Sequence, residues 1–191
     1  MVHAMSSIVD EQLAATVRAE RERRGWSIAV LAERSGVSGA MISKVERGAA
    51  SPTATLLGRL SGALGMTLSE LLAQAEGGDG RLARRAGQPL WRDPGSGYVR
   101  RRVTPDGGAG AAVEVVDVEL PAGGEVAYPA DAYTFIQQQI WVLAGTLTFR
   151  EGDVEHVLGN GDCLLLGPPA PCVFANRTRS TCRYAVVIAR R

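Results

Sequence analysis

The apolar residues of this chain change their spacing part-way along, and that change limits the possible folds more than any single motif does. Up to about residue 75 they recur at steps of three and four, as in Leu13 and Val17 or Leu56, Leu57, Leu60 and Leu64, the period of an amphipathic helix. Beyond about residue 91 they come in short alternating runs such as "YVRRRV", "AAVEVVDVEL", "QQQIWVLAGTLTF" and "CRYAVVIA", separated by the turn signals "PAGG", "REGD" and "GNGD". A pattern of helical period does not settle as a strand, so two units are expected: an all-α domain over 8–75 and an all-β domain over 90–191. Between them, 76–89 is rich in Gly, Ala and Arg without an apolar stripe, the composition of a mobile linker. With 191 residues, 46% of them apolar, there is enough chain for both units to bury a core.

The net charge of +1 conceals an uneven distribution. Charges nearly cancel up to residue 75; 76–102 is basic through Arg81, Arg84, Arg85, Arg92, Arg100, Arg101 and Arg102; the remainder is acidic. This permits an anionic partner near the N-terminal half without requiring one. Cys163, Cys172 and Cys182 are odd in number and lack zinc-like or CxxC spacing, which reads as a reduced interior. No stretch approaches the roughly 20 apolar residues of a membrane span, and no signal sequence opens the chain, so a cytoplasmic protein is expected.

Capping residues divide the helical half. A first helix carrying Leu13 and Val17 ends at Gly25; Ser27 caps a second with Leu31; Gly36 makes the turn; Ser38 caps a third that ends at Gly48; Thr53 caps a fourth. Thr67 and Glu70 form a capping box for a fifth, before Leu71 and Leu72. The stretch "SIAVLAERSGVSGAMISKVERG" then resembles the helix-turn-helix of the lambda-repressor/Cro type, the XRE family, over roughly 12–73. Ala32 is the small residue at the helix crossing, Gly36 the left-handed turn, Val37 and Ile42 the core plugs. The resemblance implies a five-helix lambda-repressor-like DNA-binding domain and double-stranded DNA as partner.

Its recognition helix would offer Ser38, Gly39, Ala40, Ser43 and Lys44 to the major groove, with Arg47, Arg18 or Arg24 as candidates for phosphate. Gly39 and Ala40 cannot make the bidentate base contacts worth about 1–3 kcal/mol each, so direct readout is thin. Ile28 stands where similar domains usually carry Gln. Arg21 and Glu46 match positions that form a buried ion pair in such domains and read as structural. A domain with so few phosphate contacts binds weakly alone, which favours a homodimer on a palindromic operator; with no heptad seam in the helical half, the dimer is expected elsewhere.

The β half resembles a cupin, a small double-sheet (double-stranded β-helix, jelly-roll) barrel. Gly145 takes the last position of the first cupin motif and Gln138 falls where a metal-binding Glu would be; Gly161 and Asp162 open the second, with Cys172 at the His position and Asn176 at the Asn. The histidine positions of the first motif fall within Asp131 to Thr134. A neutral amide is a poor donor to divalent ions, so no metal and no other cofactor is expected, and no catalytic residue. Gln138 would instead point into the barrel with Tyr133, Cys172 and Asn176 around an unidentified small-molecule effector, while Gln137 and Gln139 face outward. Polar groups that merely satisfy one another, a metal-dependent cupin enzyme and a regulator that responds to oxidation of Cys172 remain open alternatives. His156 reads as an isolated surface histidine.

Overall fold

A computed structural model of the chain describes residues 2–66, 68, 71–72, 82–105 and 113–190, with the backbone alone described for 2–12 and 190. The helical half contains α1 (Val2–Arg23), α2 (Ile28–Ser35), α3 (Gly39–Glu46) and α4 (Ala54–Ala63). Each start after the first is set by a side chain that accepts from the backbone N–H three residues on: Ser27 from Val30, Ser38 from Met41 and Thr53 from Leu56. Gly36 closes α2 at φ 64°, a backbone angle open to glycine at little cost. Residues Leu13, Val17, Leu31, Ile42, Val45 and Leu57 meet in a buried centre where truncating any one of the leucines or Ile42 to alanine would cost about 2–5 kcal/mol. The first helix begins earlier than its apolar residues suggested, because nothing between Val2 and Arg23 breaks a helix. Leu68, Leu71 and Leu72 are helical, and the latter two are fully buried; Thr67 and Glu70, the proposed capping box, lie outside the described residues.

Ten strands build the second half: β1 (Leu90–Arg92), β2 (Val99–Arg102), β3 (Val113–Leu120), β4 (Glu125–Tyr128), β5 (Ile136–Ala144), β6 (Leu147–Glu151), β7 (Val154–Leu158), β8 (Cys163–Leu165), β9 (Cys172–Ala175) and β10 (Cys182–Arg190). They form a six-stranded sheet, β1-β2-β3-β10-β5-β8, facing a four-stranded one, β4-β9-β6-β7. All the pairings are antiparallel. This is the double-sheet barrel that the cupin resemblance implies. Strand β5 alternates strictly at its start: Ile136, Gln138, Ile140 and Val142 are buried, while Gln137, Gln139 and Trp141 are exposed. Between the sheets, Phe174 packs tilted against Phe149, with ring centroids 4.8 Å apart, and stacks on Tyr184 at 5.9 Å.

The two halves share one apolar core. Helix α4 lies against β4 and the 3-10 turn Ala130–Tyr133. Its Gly58 abuts the Tyr128 ring, and its Gly62 sits beneath the Asp131 carboxylate. At the N-terminus of α4 the backbone N–H of Ala54 donates to Asp93 Oδ1 at 2.8 Å, a carboxylate that follows β1. Whatever 76–89 contributes, the two units are in direct contact: residues 39 positions apart clamp them together. Among the described residues of that stretch is a 3-10 turn, Arg85–Gly87. No described helix is long and apolar enough to cross a membrane.

Candidate nucleic-acid interface and barrel cavity

Helix α3 is held from behind and free in front. Ile42 and Val45 anchor it in the core, while Ala40, Met41, Lys44 and Arg47 are exposed on the other side, with Ser38 at its start and Gly39 and Ser43 half-buried. Arg47 donates from Nε to the Ser43 carbonyl at 3.1 Å, which holds the guanidinium at the end of the helix. The structure therefore places all six proposed DNA-facing residues on one helix and its caps. It adds Met41, an apolar side chain suited to a thymine methyl, which reasoning about hydrogen-bonding residues passed over.

The arginines behind α3 divide by partner. Arg21 makes a bidentate pair with Glu46, Nε to Oε1 at 2.7 Å and Nη2 to Oε2 at 2.9 Å, nearly out of solvent, and Arg21 also donates to the Trp26 carbonyl. This pair ties α1 to the end of α3; the Glu46 hydrogen bond raises the Arg21 pKa further. Arg24, a candidate for phosphate, is spent internally on Glu20 and on the Leu64 carbonyl. Arg18 is exposed but pairs with Glu22 at 2.9 Å. Arg34, on α2 and not considered from sequence, lies 4.5 Å over the Trp26 ring and stays exposed.

In the barrel, Tyr98, Tyr128, Tyr133, Tyr184 and Phe174 fill most of the space between the sheets and leave a cavity of about 60 Å³. At roughly 15 Å³ per water this holds about four waters, far below the roughly 300 Å³ at which drug-sized ligand pockets begin. Gln138 and Tyr133 lie on its wall. Gln138 is 8% exposed and turns its side chain to this cavity. Burial pushes the Tyr133, Tyr128 and Tyr184 hydroxyls well above the ordinary phenol value, so all three remain neutral donors. Arg100, buried and paired with Glu114 at 3.3 Å, adds a guanidinium to the same wall. Leu68, from the helical half, contributes to it as well.

The two other proposed pocket residues are elsewhere. Cys172 stands behind Tyr133, its thiol donating to the Ala170 carbonyl at 3.3 Å. Burial, reinforced by the Glu151 carboxylate, pushes that thiol up to about 12, so it is neither a thiolate ligand nor a ready target of oxidation. Asn176 is committed to a turn: its amide donates to the Leu120 and Ser180 carbonyls at 2.9 Å and 2.8 Å, and its Oδ1 accepts from the Thr178 N–H and hydroxyl. Asp131, the carboxylate nearest the first cupin motif, is exposed over Gly62 at the junction of the halves. An amide, a neutral thiol and neutral phenols are not a donor set for a divalent cation, and among the described residues no three His, Cys, Asp or Glu side chains group as one. The metal that the cupin fold implies does not fit these residues. Glu151 was missed from sequence; it accepts from the Gly167 N–H at 2.9 Å beside Tyr133 and Gln138.

Comparison with known proteins agrees with this geometry at the N-terminal end. The Helix-turn-helix family matches residues 17–71. That segment is an XRE-type helix-turn-helix domain. The HTH-type transcriptional regulator SutR of Escherichia coli is 38% identical over 61 residues, 32% of this chain and 34% of that protein. An HTH-type transcriptional regulator of Mycobacterium bovis is 42% identical over 77 residues, 39% of this chain and 30% of the relative. The matches thus span about a third of these relatives' length. A solved HTH_3 family transcriptional regulator from Vibrio cholerae, 21% identical, superposes over 97% of this chain and 99% of its own with a TM-score of 0.78, so helical domain and barrel recur there in one fold.

Proposed function

We propose that the chain is a cytoplasmic, DNA-binding transcriptional regulator without catalytic activity. It reads operator DNA through α3 and responds to a small polar effector held in the barrel. For the reader, support comes from an exposed helix face carrying Ala40, Met41, Lys44 and Arg47 on a capped and ion-paired scaffold. For the sensor, the observation that carries the reading is the Gln138 amide, a donor and an acceptor on the wall of a cavity lined mostly by aromatic and apolar side chains, which a small molecule offering both an acceptor and a donor would match. The cavity limits the effector to a few non-hydrogen atoms unless side chains move aside.

The working form is a homodimer on a palindromic operator. The outer face of the six-stranded sheet favours it: Trp141 at 49% and Leu165 at 52% exposure lie across β5 and β8, with Gln137 and Gln139 beside them. One experiment tests the whole reading. The purified full chain is used to enrich duplexes from a random-sequence pool, and the same preparation is weighed by native mass spectrometry. A palindromic duplex and a small adduct that Gln138→Ala loses while duplex affinity stays within a few-fold are the expected results. A chain that enriches no duplex, or a metal ion bound one per chain with turnover, would defeat the reading.

A further inference from the structure

We infer that Tyr128 couples the barrel cavity to the DNA reader through α4, so that cavity occupancy sets how α2 and α3 are presented to DNA. The inference rests on the effector reading above and extends it to how occupancy is transmitted. One side of the Tyr128 ring lines the cavity. The other occupies the space that a side chain at position 58 would need: a Cβ on Gly58 would lie 2.6 Å from Tyr128 Cδ1. Not even a methyl group separates the ring from the α4 backbone, so the helix follows the ring.

The surroundings make this contact a lever. Tyr128 is gripped edge-on by Phe174 and Tyr133, with centroids 5.9 Å and 6.5 Å away, and both partners also line the cavity. Anything that displaces either ring moves Tyr128. At its N-terminus α4 is pinned by Asp93. Toward its C-terminus the neighbour of Gly62 is Asp131, an exposed side chain that can swing away. A push at Gly58 therefore tilts α4 about its anchored start. Helix α4 packs on α2, and α2 on α3, so the tilt reaches the recognition helix through two packed contacts. Leu68 places the helical half directly on the cavity wall, giving an occupant a second handle on the same unit. Tightly packed interfaces shift between discrete arrangements, and an occupant selects one only by favouring a ring position.

Coupling is reciprocal, which allows a test with the full chain and a duplex enriched from a random pool, without knowing the effector. Backbone hydrogen exchange in 125–133, remote from the exposed face of α3, should change about threefold or more when the duplex is added, since local opening there responds to the state of α4. Changes confined to 27–47 would overturn the coupling. Gly58→Ala should shift duplex affinity about fivefold or more while leaving the salt slope unchanged, because no phosphate contact is lost. Adding Tyr128→Ala should restore affinity to within about twofold, whereas Gly62→Ala alone should stay within that range. A Gly58→Ala chain that binds like the wild type refutes the inference; should that variant not fold, the exchange measurement decides. Enrichment of no duplex would remove the DNA reader and this coupling together, while a bound duplex with an unresponsive barrel removes the coupling alone.

Discussion

Replacing Asp93 by alanine should weaken both halves at once, although the residue belongs to neither core. Asp93 is buried, and its Oδ1 accepts the Ala54 N–H at 2.8 Å while its Oδ2 accepts the Ser96 N–H at 2.8 Å and the Ser96 hydroxyl. Truncation leaves the N–H of Ala54, a fully buried residue, without its partner, at about 1–3 kcal/mol. It also removes a negative charge from the start of α4, at about 0.3–2 kcal/mol, and charge-assisted bonds within the turn. Because these losses overlap, the net effect is about 3–5 kcal/mol, a large part of the roughly 5–15 kcal/mol that holds a folded protein together. For a chain of this length that is a fall in Tm of about 10 °C. Far-UV circular dichroism follows the helices, and the fluorescence of Trp91, read in a Trp26→Phe, Trp141→Phe background, follows the adjoining edge of the barrel. The two transitions should coincide in the wild type, which has one shared core, and separate in Asp93→Ala. Asp93→Asn retains an acceptor toward Ala54 and should lose only about 1–2 kcal/mol. A loss under about 1 kcal/mol for Asp93→Ala, with transitions still coincident, would show that this clamp does not join the units.

Other outcomes follow from the same coordinates. Lys44→Ala and Arg47→Ala should each lower the magnitude of the salt slope of duplex binding by about 0.9 if they neutralise a phosphate, read by fluorescence anisotropy across a salt series; an unchanged slope removes that residue from the interface. Iodoacetamide at pH 8 should leave Cys172 and Cys182 unmodified, since burial pushes their thiols up to about 12 and about 11. Cys163 is exposed and should react, faster on dilution because it shares the outer sheet face with Trp141. The Glu20 carboxyl is held below its ordinary value near 4.5, chiefly by its hydrogen bond from Arg23 against the opposing effect of burial. The stability it contributes is full above that value and lost as pH falls through the depressed one, so Glu20→Gln should flatten the pH dependence of the chain's urea midpoint between about pH 5 and 3.

The legible part of this protein is what short stretches settle for themselves. A cap is made by a side chain and an N–H three residues away, which is why Ser27, Ser38 and Thr53 announce three helices from sequence alone. The alternation of β5 is equally local, and it turns Gln138 inward and Gln137 and Gln139 outward whatever the barrel closes upon. The residue types at the cupin-motif positions, an amide at Gln138 and a thiol at Cys172, are read from the sequence directly.

Tertiary structure decided what meets across long separations. Asn176 and Cys172 occupy motif positions, yet their neighbours come from Leu120, Ser180 and Tyr133, so one braces a turn and the other lies behind the cavity wall. Tyr98, Arg100, Tyr184 and Leu68 face the cavity only because the strands and the helical half converge there, a matter of topology that no window of sequence contains. The junction is the strongest case. Two glycines in a helix read as weak helix formers, and an Asp before a Pro-Gly turn reads as a loop residue; the close fit of Gly58 to Tyr128 and the capping of Ala54 by Asp93 exist only once two independently patterned units press together. Local hydrogen bonds and side-chain alternation are short-range and therefore written along the chain, whereas shape complementarity depends on which distant surfaces the fold brings into contact.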